Sequence, residues 1–506
     1  MTANGRPGPS GPGSPGPTGP AVQLTVAWVA AAVSGVVLSG DRAHAFTGVS
    51  IDTRTLKAGE LYVAIRGERF DGADFADAAI VGGAAGVIVP RGRGQGLRYA
   101  QDRPEAGRAA NVSGERAGSP AQPVVIEVDD TTAALQALAH AVRIESGTKV
   151  VAITGSAGKT TTKEITAEFL AARYRVIRNQ GNFNNHIGLP LSLIELTARP
   201  EIAVVELGMS RAGEISTLVR VAEPDVRVWT NVGEAHLGFF ASLDATADAK
   251  AEILEGADAA TVLVANADDE RIAARLGRFA GRTVTFGIER DADVRAAGIV
   301  DRGIDGMSAR VSTPKGDLEI TTPLVGHANL ANLLAATAVA VDFDVPLDAI
   351  AERAATLLPA AHRGEVVRLA RGVTIVDDSY NANPTATLRA LDVLAAARRA
   401  PRRVAVLGEM LELGDRTAEF HEDIGRAAAR AGVDLLIAVG GSAAAALAAA
   451  AVGAGLPPAN VRHFATSDDA ADAAAVEIRS GDLVLVKGSR GVRTDRIVDR
   501  LKAEFA

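Results

Sequence analysis

The stretch that decides the fold is VVAITGSAGKTTTKE, residues 150–164. An apolar run typical of a buried strand gives way to a loop of small residues that leads into Lys159 and three threonines. Gly155 and Gly158 allow a tight turn, so that successive N–H groups and the N-terminus of the next helix converge on an anion. Lys159 adds a positive charge, and the Thr160 hydroxyl suits a magnesium ion. The stretch predicts a phosphate-binding loop between a strand and a helix.

The spacing within this loop leaves two interpretations open. The strict pattern G-x-x-x-x-G-K-[ST] is not met, because Ile153 stands where the first glycine belongs. The shorter G-x-x-G-K-T remains, and since it occurs by chance more often, a plain strand-to-helix turn is the alternative. If the loop binds a nucleotide, the residues that contact its phosphates are Gly155, Ser156, Ala157, Gly158, Lys159, Thr160 and Thr161.

Length and composition limit the classes of protein. A chain of 506 residues is too long for one core and is expected to form about three domains. A formal net charge of −8 and 4% aromatic residues argue against nucleic acid as a partner, because binding phosphate backbones calls for a basic face. The absence of cysteine excludes disulfides and thiolate metal sites and fits a reducing compartment. We therefore expect a cytoplasmic protein with small-molecule ligands.

The first forty residues contain two unusual segments. Residues 1–21 are rich in Pro and Gly with almost no apolar side chains, which predicts a disordered tail. The next stretch, AVQLTVAWVAAAVSGVVLSG, resembles the apolar region of a signal peptide, but polar residues and glycine interrupt it and only Arg6 precedes it. A short helix packed on a domain is favoured, and no membrane insertion is expected.

The remaining sequence predicts an α/β protein of three domains. Residues 22–147 form a small α/β domain with strands such as GELYVAI and VVIEV, and its Arg-, Gly- and Pro-rich segment 91–122 is predicted to be a flexible insertion. Residues 148–360 alternate buried strands with helices, which indicates a mostly parallel sheet carrying the phosphate loop. Residues 361–506 repeat that alternation as a Rossmann-like domain. Ligands of such sheets bind at the carboxyl ends of the strands.

Polar side chains follow several strands of the central domain. Glu206 closes the strand IAVVE, where a magnesium ligand is expected beside the phosphate loop, although an ordinary strand-end Glu is the alternative. His236 follows the strand VRVWTNV, and Lys250 follows on ATADAKAEI. Asparagines that contact a substrate or merely cap turns lie in GNFNNHIGLP, at Asn182, Asn184 and Asn185, and in GHANLANLL, at Asn329 and Asn332.

The last domain adds a second polar set. Arg363, in AHRGE, stands just before its first strand and has the charge to neutralise a terminal phosphate. The segment IVDDSYNANP follows that strand, and VLVKGSRG follows the last one, so both belong to one sheet edge. Their candidate ligand-binding residues are Asp378, Tyr380, Asn381, Asn383, Lys487, Ser489 and Arg490.

In this order, the motifs resemble those of the Mur ligases of peptidoglycan synthesis. The similarity runs from about residue 46 to 505. Its parts are ITGSAGKTTTKE, GNFNNHIGLP, VVELGMS, NVGEAHLGFF, AHRGE, DDSYNANP, VLGEMLELG and VLVKGSRG. The motifs DDSYNANP and GNFNNHIGLP are most similar to members that add D-alanyl-D-alanine to a UDP-N-acetylmuramoyl-tripeptide.

The resemblance implies an ATP-dependent, ADP-forming peptide ligase. Its N-terminal domain would hold the UDP-sugar, its central domain ATP and its C-terminal domain the added dipeptide. In the family's route, a carboxylate of the substrate attacks the γ-phosphate of ATP, and the amine then attacks the resulting acyl phosphate. The partners expected are small molecules, without nucleic acid or membrane, and the chain is expected to be a monomer.

The resemblance also assigns roles to residues. It implies UDP-sugar contacts at Asp52, Thr53 and Arg54, and ATP contacts at Asn329, Asn332, Arg363 and Asp378. The remaining substrate contacts would be Asn182, Asn184, Asn185, Tyr380, Asn381, Asn383, Lys487, Ser489 and Arg490. The residues expected to act in catalysis are Lys159, Glu206, His236, Lys250 and Arg363. Two magnesium ions are expected, with ligands Thr160, Glu206, His236 and a carbamylated Lys250.

Two alternatives share parts of this pattern. A sister ligase of the family adds a diamino acid to the preceding dipeptide intermediate, but its D-N-P-R-type motif is missing from the sequence. A nucleotide-dependent switch protein would share the loop and Glu206, yet it needs neither the asparagine clusters nor a second α/β domain with its own polar strand ends.

Overall fold

The computed structural model describes residues 19–95, 97, 123–179, 181, 183–234, 240, 242–397 and 400–506. The predicted tail (1–21) lies outside these ranges except for its last three residues, as does most of the predicted insertion (91–122). His236 and Asn182 also lie outside the described residues. Three larger sheets follow one another along the chain, which confirms the predicted three-domain α/β class.

The N-terminal part is built on a five-stranded sheet in the order β2-β7-β6-β5-β4. Only β2 runs antiparallel to its neighbour, and a separate short pair joins β1 to β3. The elements are β1 Leu24–Thr25, α1 Val26–Ala32, β2 Val36–Ser39, β3 Ala45–Phe46, β4 Val49–Ser50, β5 Leu61–Val63, α2 Ala76–Val81, β6 Gly86–Pro90, β7 Val124–Val128 and α3 Thr131–Ser146.

The central part is a nine-stranded sheet in the order β16-β15-β14-β13-β12-β11-β8-β10-β9. Strands β8 to β14 are parallel to one another, and β15 and β16 extend the sheet as an antiparallel edge. Its strands are β8 Lys149–Thr154, β9 Val176–Arg178, β10 Ile202–Glu206, β11 Val226–Trp229, β12 Val262–Asn266, β13 Arg282–Gly287, β14 Val294–Asp301, β15 Met307–Thr313 and β16 Gly316–Thr322. Its helices are α4 Lys159–Leu170, α5 Gly188–Ile194, α6 Glu214–Ala222, α7 Leu243–Ala251, α8 Glu270–Ala273, α9 His327–Asp342 and α10 Leu347–Ala355.

The C-terminal part is a six-stranded sheet in the order β17-β18-β22-β19-β20-β21, parallel except for β17. Its strands are β17 Glu365–Arg368, β18 Thr374–Asp378, β19 Arg402–Gly408, β20 Leu435–Val439, β21 Val461–Phe464 and β22 Asp482–Lys487. Its helices are α11 Pro384–Ala396, α12 Thr417–Arg430, α13 Ser442–Gly453, α14 Ser467–Glu477 and α15 Asp495–Glu504.

The central sheet explains where a ligand can bind. Strand β8 lies between β10 and β11, and residues Val150–Ile153 are fully buried because helices cover both faces of the sheet. The phosphate loop follows β8, and Glu206 ends the neighbouring β10. The carboxyl ends of these parallel strands therefore bring the loop and the carboxylate to the same edge.

The apolar stretch near the N-terminus contains the predicted short helix, α1, but its second half forms the strand β2. Val26 and Val29 are fully buried, so α1 packs into a core. Among the residues that the structure describes, no helix combines the length and the apolar character needed to cross a membrane.

Candidate active site

A cleft of about 1400 Å³ lies between the central and C-terminal sheets, at the carboxyl ends of their strands. The backbone N–H of Glu234, from the central part, lies 3.4 Å from Thr385 Oγ1 on α11, which places the two walls in contact. Predicted site residues that line the cleft are Ser156, Ala157, Gly158, Lys159, Thr160, Thr161, Asn184, Asn185, Glu206, Asn329, Asn332, Arg363, Asp378, Tyr380, Asn381, Asn383, Lys487, Ser489 and Arg490.

The phosphate loop has the backbone shape that its glycines predict. Gly158 has a φ of +81°, and a Cβ there would collide with the carboxamide of Asn332 on α9. Asn231 fixes the loop from the adjacent strand end, since its Oδ1 accepts from Ala157 N at 2.9 Å and its Nδ2 donates to Ala157 O at 2.9 Å. The loop is thus held open in front of α4, whose first N–H groups face the cleft.

Two charged side chains of opposite sign flank this loop. Lys159 Nζ donates to Gly155 O at 2.9 Å, and burial lowers its pKa, with Glu206 opposing and Arg363 reinforcing that shift. Glu206, which is buried, accepts from Thr160 Oγ1 at 2.8 Å through one oxygen and from Asn184 Nδ2 at 2.8 Å through the other. Arg363 belongs to the segment that leads into β17, so a cation from the next domain faces Lys159.

The hydroxyl–carboxylate pair of Thr160 and Glu206 fits magnesium. Mg²⁺ is held by one or two protein oxygens together with substrate phosphates and water. Within the described ranges, no group of three or more His, Cys, Asp or Glu side chains could hold a metal ion. A site completed by nucleotide phosphates therefore agrees better with these side chains than an all-protein cage.

Lys250, on α7, is buried beneath the same region with only 2% of its surface exposed. Burial lowers its pKa well below the ordinary value of a lysine, and the positive charge of Lys159 lowers it further. Burial of Lys250 and its repulsion by the charge of Lys159 together favour a neutral amine at Lys250. This is the electrostatic setting in which the sequence predicted a modified lysine.

Asn179 is a buried site residue that the sequence analysis did not single out. Strand β9 ends at Arg178, and the Asn179 side chain continues the pairing with β10 by accepting from Glu206 N at 3.0 Å. Its Nδ2 donates to Phe183 O at 3.0 Å, which folds the chain back so that Asn184 reaches Glu206. Its position one residue after a strand, on the edge that carries the loop, was the available signal.

The remaining central asparagines have partners within the protein. Asn332 accepts from Thr162 Oγ1 at 3.2 Å and donates to Asn329 Oδ1 at 3.3 Å, and Asn329 Nδ2 donates to Val325 O at 2.9 Å. Asn185 accepts from Gly188 N at 2.8 Å, at the start of α5. These hydrogen bonds give the asparagines a structural role within the protein. Their contact with ATP or substrate stays a prediction.

On the opposite wall, the ring of Tyr380 contacts two arginines. The Arg363 guanidinium stacks 4.1 Å from the centre of its ring, and that of Arg490 lies at 5.8 Å. Arg490 also lies 3.5 Å from Asp495. The pair of cations on one aromatic ring gives this wall a positive surface facing the phosphate loop.

The other polar residues of that wall are bonded to one another. Lys487 Nζ donates to Asp378 Oδ2 at 2.5 Å and to Asn381 O at 3.0 Å. Ser489 Oγ accepts from Leu411 N at 2.9 Å, and Asn383 Oδ1 caps α11 by accepting from Ala386 N at 2.8 Å. The predicted ligand contacts of these residues stay predictions, because each already has a structural partner.

The predicted UDP-sugar residues lie apart from this cleft. Asp52, Thr53 and Arg54 form a turn after β4, and they are absent from the lining of the cleft. The Arg54 guanidinium, 2.6 Å from Asp52, lowers the pKa of that carboxyl to about 2. The structure thus brings together the predicted ATP and acceptor residues and leaves the N-terminal set on its own domain.

Comparison with known proteins agrees with this arrangement. The family model "Mur ligase middle domain" matches residues 153–340, "Mur ligase, glutamate ligase domain" matches 362–490, and "Mur ligase family, catalytic domain" matches 45–143.

Two curated relatives are the UDP-N-acetylmuramoyl-tripeptide--D-alanyl-D-alanine ligases of Bacillus subtilis (strain 168) and Escherichia coli (strain K12). Both are 34% identical to this chain, over 454 and 464 residues respectively, and in each case the alignment covers 90% of this chain and 93% of the relative.

Among solved structures, MurF from Acinetobacter baumannii superposes with a TM-score of 0.81 at 28% identity, covering 96% of this chain and 100% of its own. MurF ligase from Thermotoga maritima in complex with ADP gives 0.75 at 28% identity, covering 90% and 97%. The family models together match most of residues 45–490, and each of the two curated relatives covers 90% of the chain. The chain therefore belongs to the Mur ligase family.

Proposed function

We propose that this chain is an ATP-dependent ligase that adds D-alanyl-D-alanine to UDP-N-acetylmuramoyl-tripeptide, in the synthesis of the peptidoglycan precursor. One observation carries the proposal: the phosphate loop and Glu206 of one domain face Arg363 of the next across a shared cleft. The curated relatives at 34% identity support the choice of substrates, since both are named for this reaction.

The first step activates a carboxylate. A carboxylate oxygen of the tripeptide attacks the γ-phosphorus of ATP, the bond to the bridging oxygen breaks, and an acyl phosphate and ADP result. Because two anions must approach each other, the site needs positive charge at the transferred phosphoryl group. Lys159 supplies it from the loop, Arg363 supplies it from the opposite wall, and a magnesium ion at Thr160 and Glu206 would neutralise the phosphates.

The second step forms the amide bond. The free amine of D-alanyl-D-alanine attacks the acyl carbonyl carbon, the tetrahedral intermediate loses a proton from nitrogen, and inorganic phosphate leaves. The dipeptide must approach from the C-terminal wall, where Tyr380, Asn381, Lys487, Ser489 and Arg490 line the cleft. A site whose parts come from two domains excludes water only when the domains are together.

A carbamylated Lys250 and a second magnesium ion are further parts of the proposal. The neutral Lys250 amine adds to the carbon of CO₂ and loses one proton, which turns a repelled cation into an anion that can approach a metal ion. Its burial and its low pKa support this modification. His236 would be another ligand of that ion; it lies outside the described residues.

The other predicted features complete the proposal. Asp52, Thr53 and Arg54 hold the UDP-sugar on the N-terminal domain, and the domain limits are 22–147, 148–360 and 361–506. The protein acts as a monomer in the cytoplasm, where its UDP-linked substrate and ATP are present.

Two rival functions predict different products. The sister ligase would consume a dipeptide intermediate and a diamino acid, and the switch protein would hydrolyse nucleotide without either substrate. The test is to incubate the protein with ATP, Mg²⁺ and D-alanyl-D-alanine together with UDP-sugar tripeptide that contains either lysine or meso-diaminopimelate. We expect a pentapeptide by mass and ADP release that needs both substrates. A parallel incubation supplies the UDP-sugar dipeptide and a diamino acid instead. ADP release without substrates, or a product only in this second incubation, would contradict the proposal.

A further inference from the structure

The segment that crosses from the central to the C-terminal domain carries a strained residue beside Arg363. His362 has a φ of +60°, in the left-handed region that residues other than Gly, Asn and Asp seldom adopt, and Gly364 on the other side has +75°. Such a conformation costs free energy, so the surrounding contacts must hold it in place. Arg363 is therefore fixed between two left-handed residues.

The contacts that hold His362 come from the C-terminal domain. Its Nδ1 lies 2.8 Å from Asp377 Oδ2, and Asp377 is completely buried. With the Asp377 oxygen as acceptor, the ring proton is assigned to Nδ1. The other carboxylate oxygen accepts from Ser379 Oγ at 2.6 Å, which fixes the carboxylate itself. The histidine thus completes the hydrogen bonds of a buried acid.

The backbone on both sides of Arg363 is tied to the same strand end. Tyr380 N donates to His362 O at 3.1 Å, and Gly364 N donates to Asp377 O at 2.9 Å. The Arg363 guanidinium then stacks on Tyr380 and lies close enough to Lys159 to lower the pKa of that lysine. The end of β18 therefore determines where the arginine stands in the cleft.

We infer that His362 is a positioning residue: through its hydrogen bond to Asp377 it holds Arg363 against Tyr380 and toward the phosphate loop. The inference rests on the proposed function, because it assigns to Arg363 the role of stabilising the transferred phosphoryl group. It adds a residue that touches neither ATP nor the peptide substrates. Asparagine should be able to replace the histidine, because its side-chain nitrogen reaches about as far as Nδ1 and it tolerates the left-handed region.

The test is a double-mutant cycle of His362→Gly with Arg363→Ala. Glycine accepts the backbone conformation and removes only the ring, so the variant is expected to fold. We expect Arg363→Ala to lower kcat about 100-fold and His362→Gly about 10-fold, with the KM for ATP changed less than about 3-fold. In the Arg363→Ala background His362→Gly should cost less than about 2-fold, because residues that act through one another are not additive.

His362→Asn is the conservative variant and should retain activity within about 3-fold, because it restores the donor to Asp377. A wild-type kcat for His362→Gly, or the same loss in both backgrounds, would overturn the inference. A His362→Asn variant that folds but is as slow as His362→Gly would also overturn it. His362→Asp replaces the glycine variant if that one does not fold, because aspartate also tolerates the left-handed region and, when ionised, cannot donate to Asp377. Arg363→Lys replaces Arg363→Ala if its turnover is too low to measure.

The proposed function can fail separately. If the wild-type protein releases ADP but makes no pentapeptide, the assigned reaction is wrong, and the same cycle measured on ADP release still decides the role of His362.

Discussion

The lysines on the two walls of the cleft differ in their hydrogen-bond partners. On the central wall, Lys159 donates to the carbonyl of Gly155 and to no other described residue, and Lys250 is buried beside it with a strongly lowered pKa. On the C-terminal wall, Lys487 is just as buried, yet Asp378 accepts its hydrogen bond at 2.5 Å. Among the described residues, the two central lysines thus lack a hydrogen-bonded carboxylate, although Glu206 favours the charge of Lys159, whereas Lys487 has such a partner.

This difference distinguishes lysines that can bind an anionic ligand, Lys159 and Lys250, from a pair that stabilises the wall itself, Lys487 and Asp378. A desolvated cation without an acidic partner is costly unless a ligand supplies negative charge. A buried ion pair already has its partner, and removing one member leaves the other uncompensated. We therefore expect substitutions of Lys159 and Lys250 to change activity and substitutions of Asp378 and Lys487 to change stability first.

The largest effect is expected for Lys159→Ala. Removing the loop's cation should lower ATP turnover about 1000-fold or more, because it takes away the positive charge that the phosphate loop itself supplies. Steady-state ADP release with both substrates measures it. The melting temperature should not fall, because desolvation already disfavours the charge that the variant removes.

Lys149→Ala is the matched control. Lys149 begins β8, the strand that precedes the phosphate loop, and its ammonium pairs with Asp225 at the end of the strand opposite to the loop. The control variant should keep wild-type turnover. A folded Lys159→Ala protein with normal turnover would remove the phosphate-loop interpretation, and with it the contrast between the walls.

The next effect is expected for Lys250→Ala, which should lower activity about 10- to 100-fold if a carbamate there supports a metal ion. Short carboxylates such as acetate should restore part of this activity by supplying the lost anion. Lys159→Ala should not respond to acetate, because it lacks a cation. Full activity of Lys250→Ala, or equal rescue of both variants, would contradict the carbamate proposal.

Substitutions of Asp378 and Lys487 test whether their ion pair stabilises the C-terminal wall. Asp378→Ala should reduce local stability by about 3 kcal/mol, because it leaves a buried ammonium unpaired, whereas Lys487→Met should cost about 1 kcal/mol, since the remaining carboxylate is partly exposed. Hydrogen exchange of amides in β18 and β22 measures both values.

Because each single change removes the same ion pair, the double variant should cost less than the sum of the two. Unchanged exchange in Lys487→Met together with a large loss of activity would show that the ammonium serves the substrate and not the wall.

Local patterns in the sequence predicted the parallel core and the phosphate loop, because each depends on residues close together in the chain. Glu206 was predicted beside the loop, since parallel strands end at one edge. The antiparallel edge β15–β16 was not predicted within the largely parallel sheet, although its buried residues alternate as in a half-exposed strand. Strands β17 and β21 were also missed; they are short edge strands whose residues are only partly buried.

Partners that come from distant parts of the chain could not be predicted. Lys487 and Asp378 are both polar residues after strands, and no sequence pattern shows that β22 lies next to β18. The same is true of His362, whose partner Asp377 becomes a neighbour only when β17 pairs antiparallel with β18. Asn179 follows the last residue of β9, so its side chain, and not its backbone, accepts the hydrogen bond from Glu206 N.

The smallest effect is expected for Asn383, which was predicted to contact substrate and which caps α11 in the structure. Asn383→Ala should reduce the stability of α11 by about 1 kcal/mol, through loss of the acceptor for Ala386 N. Asn383→Ser should keep most of that stability, because its hydroxyl is also a capping acceptor. Hydrogen exchange in α11 and the KM for D-alanyl-D-alanine are measured on both variants. If the cap is the whole role, both variants keep the wild-type KM. A serine variant with a normal helix but a KM raised more than about 10-fold would show that the amide nitrogen, which the cap leaves free, contacts the dipeptide, and the C-terminal wall would then contain at least one residue of each kind.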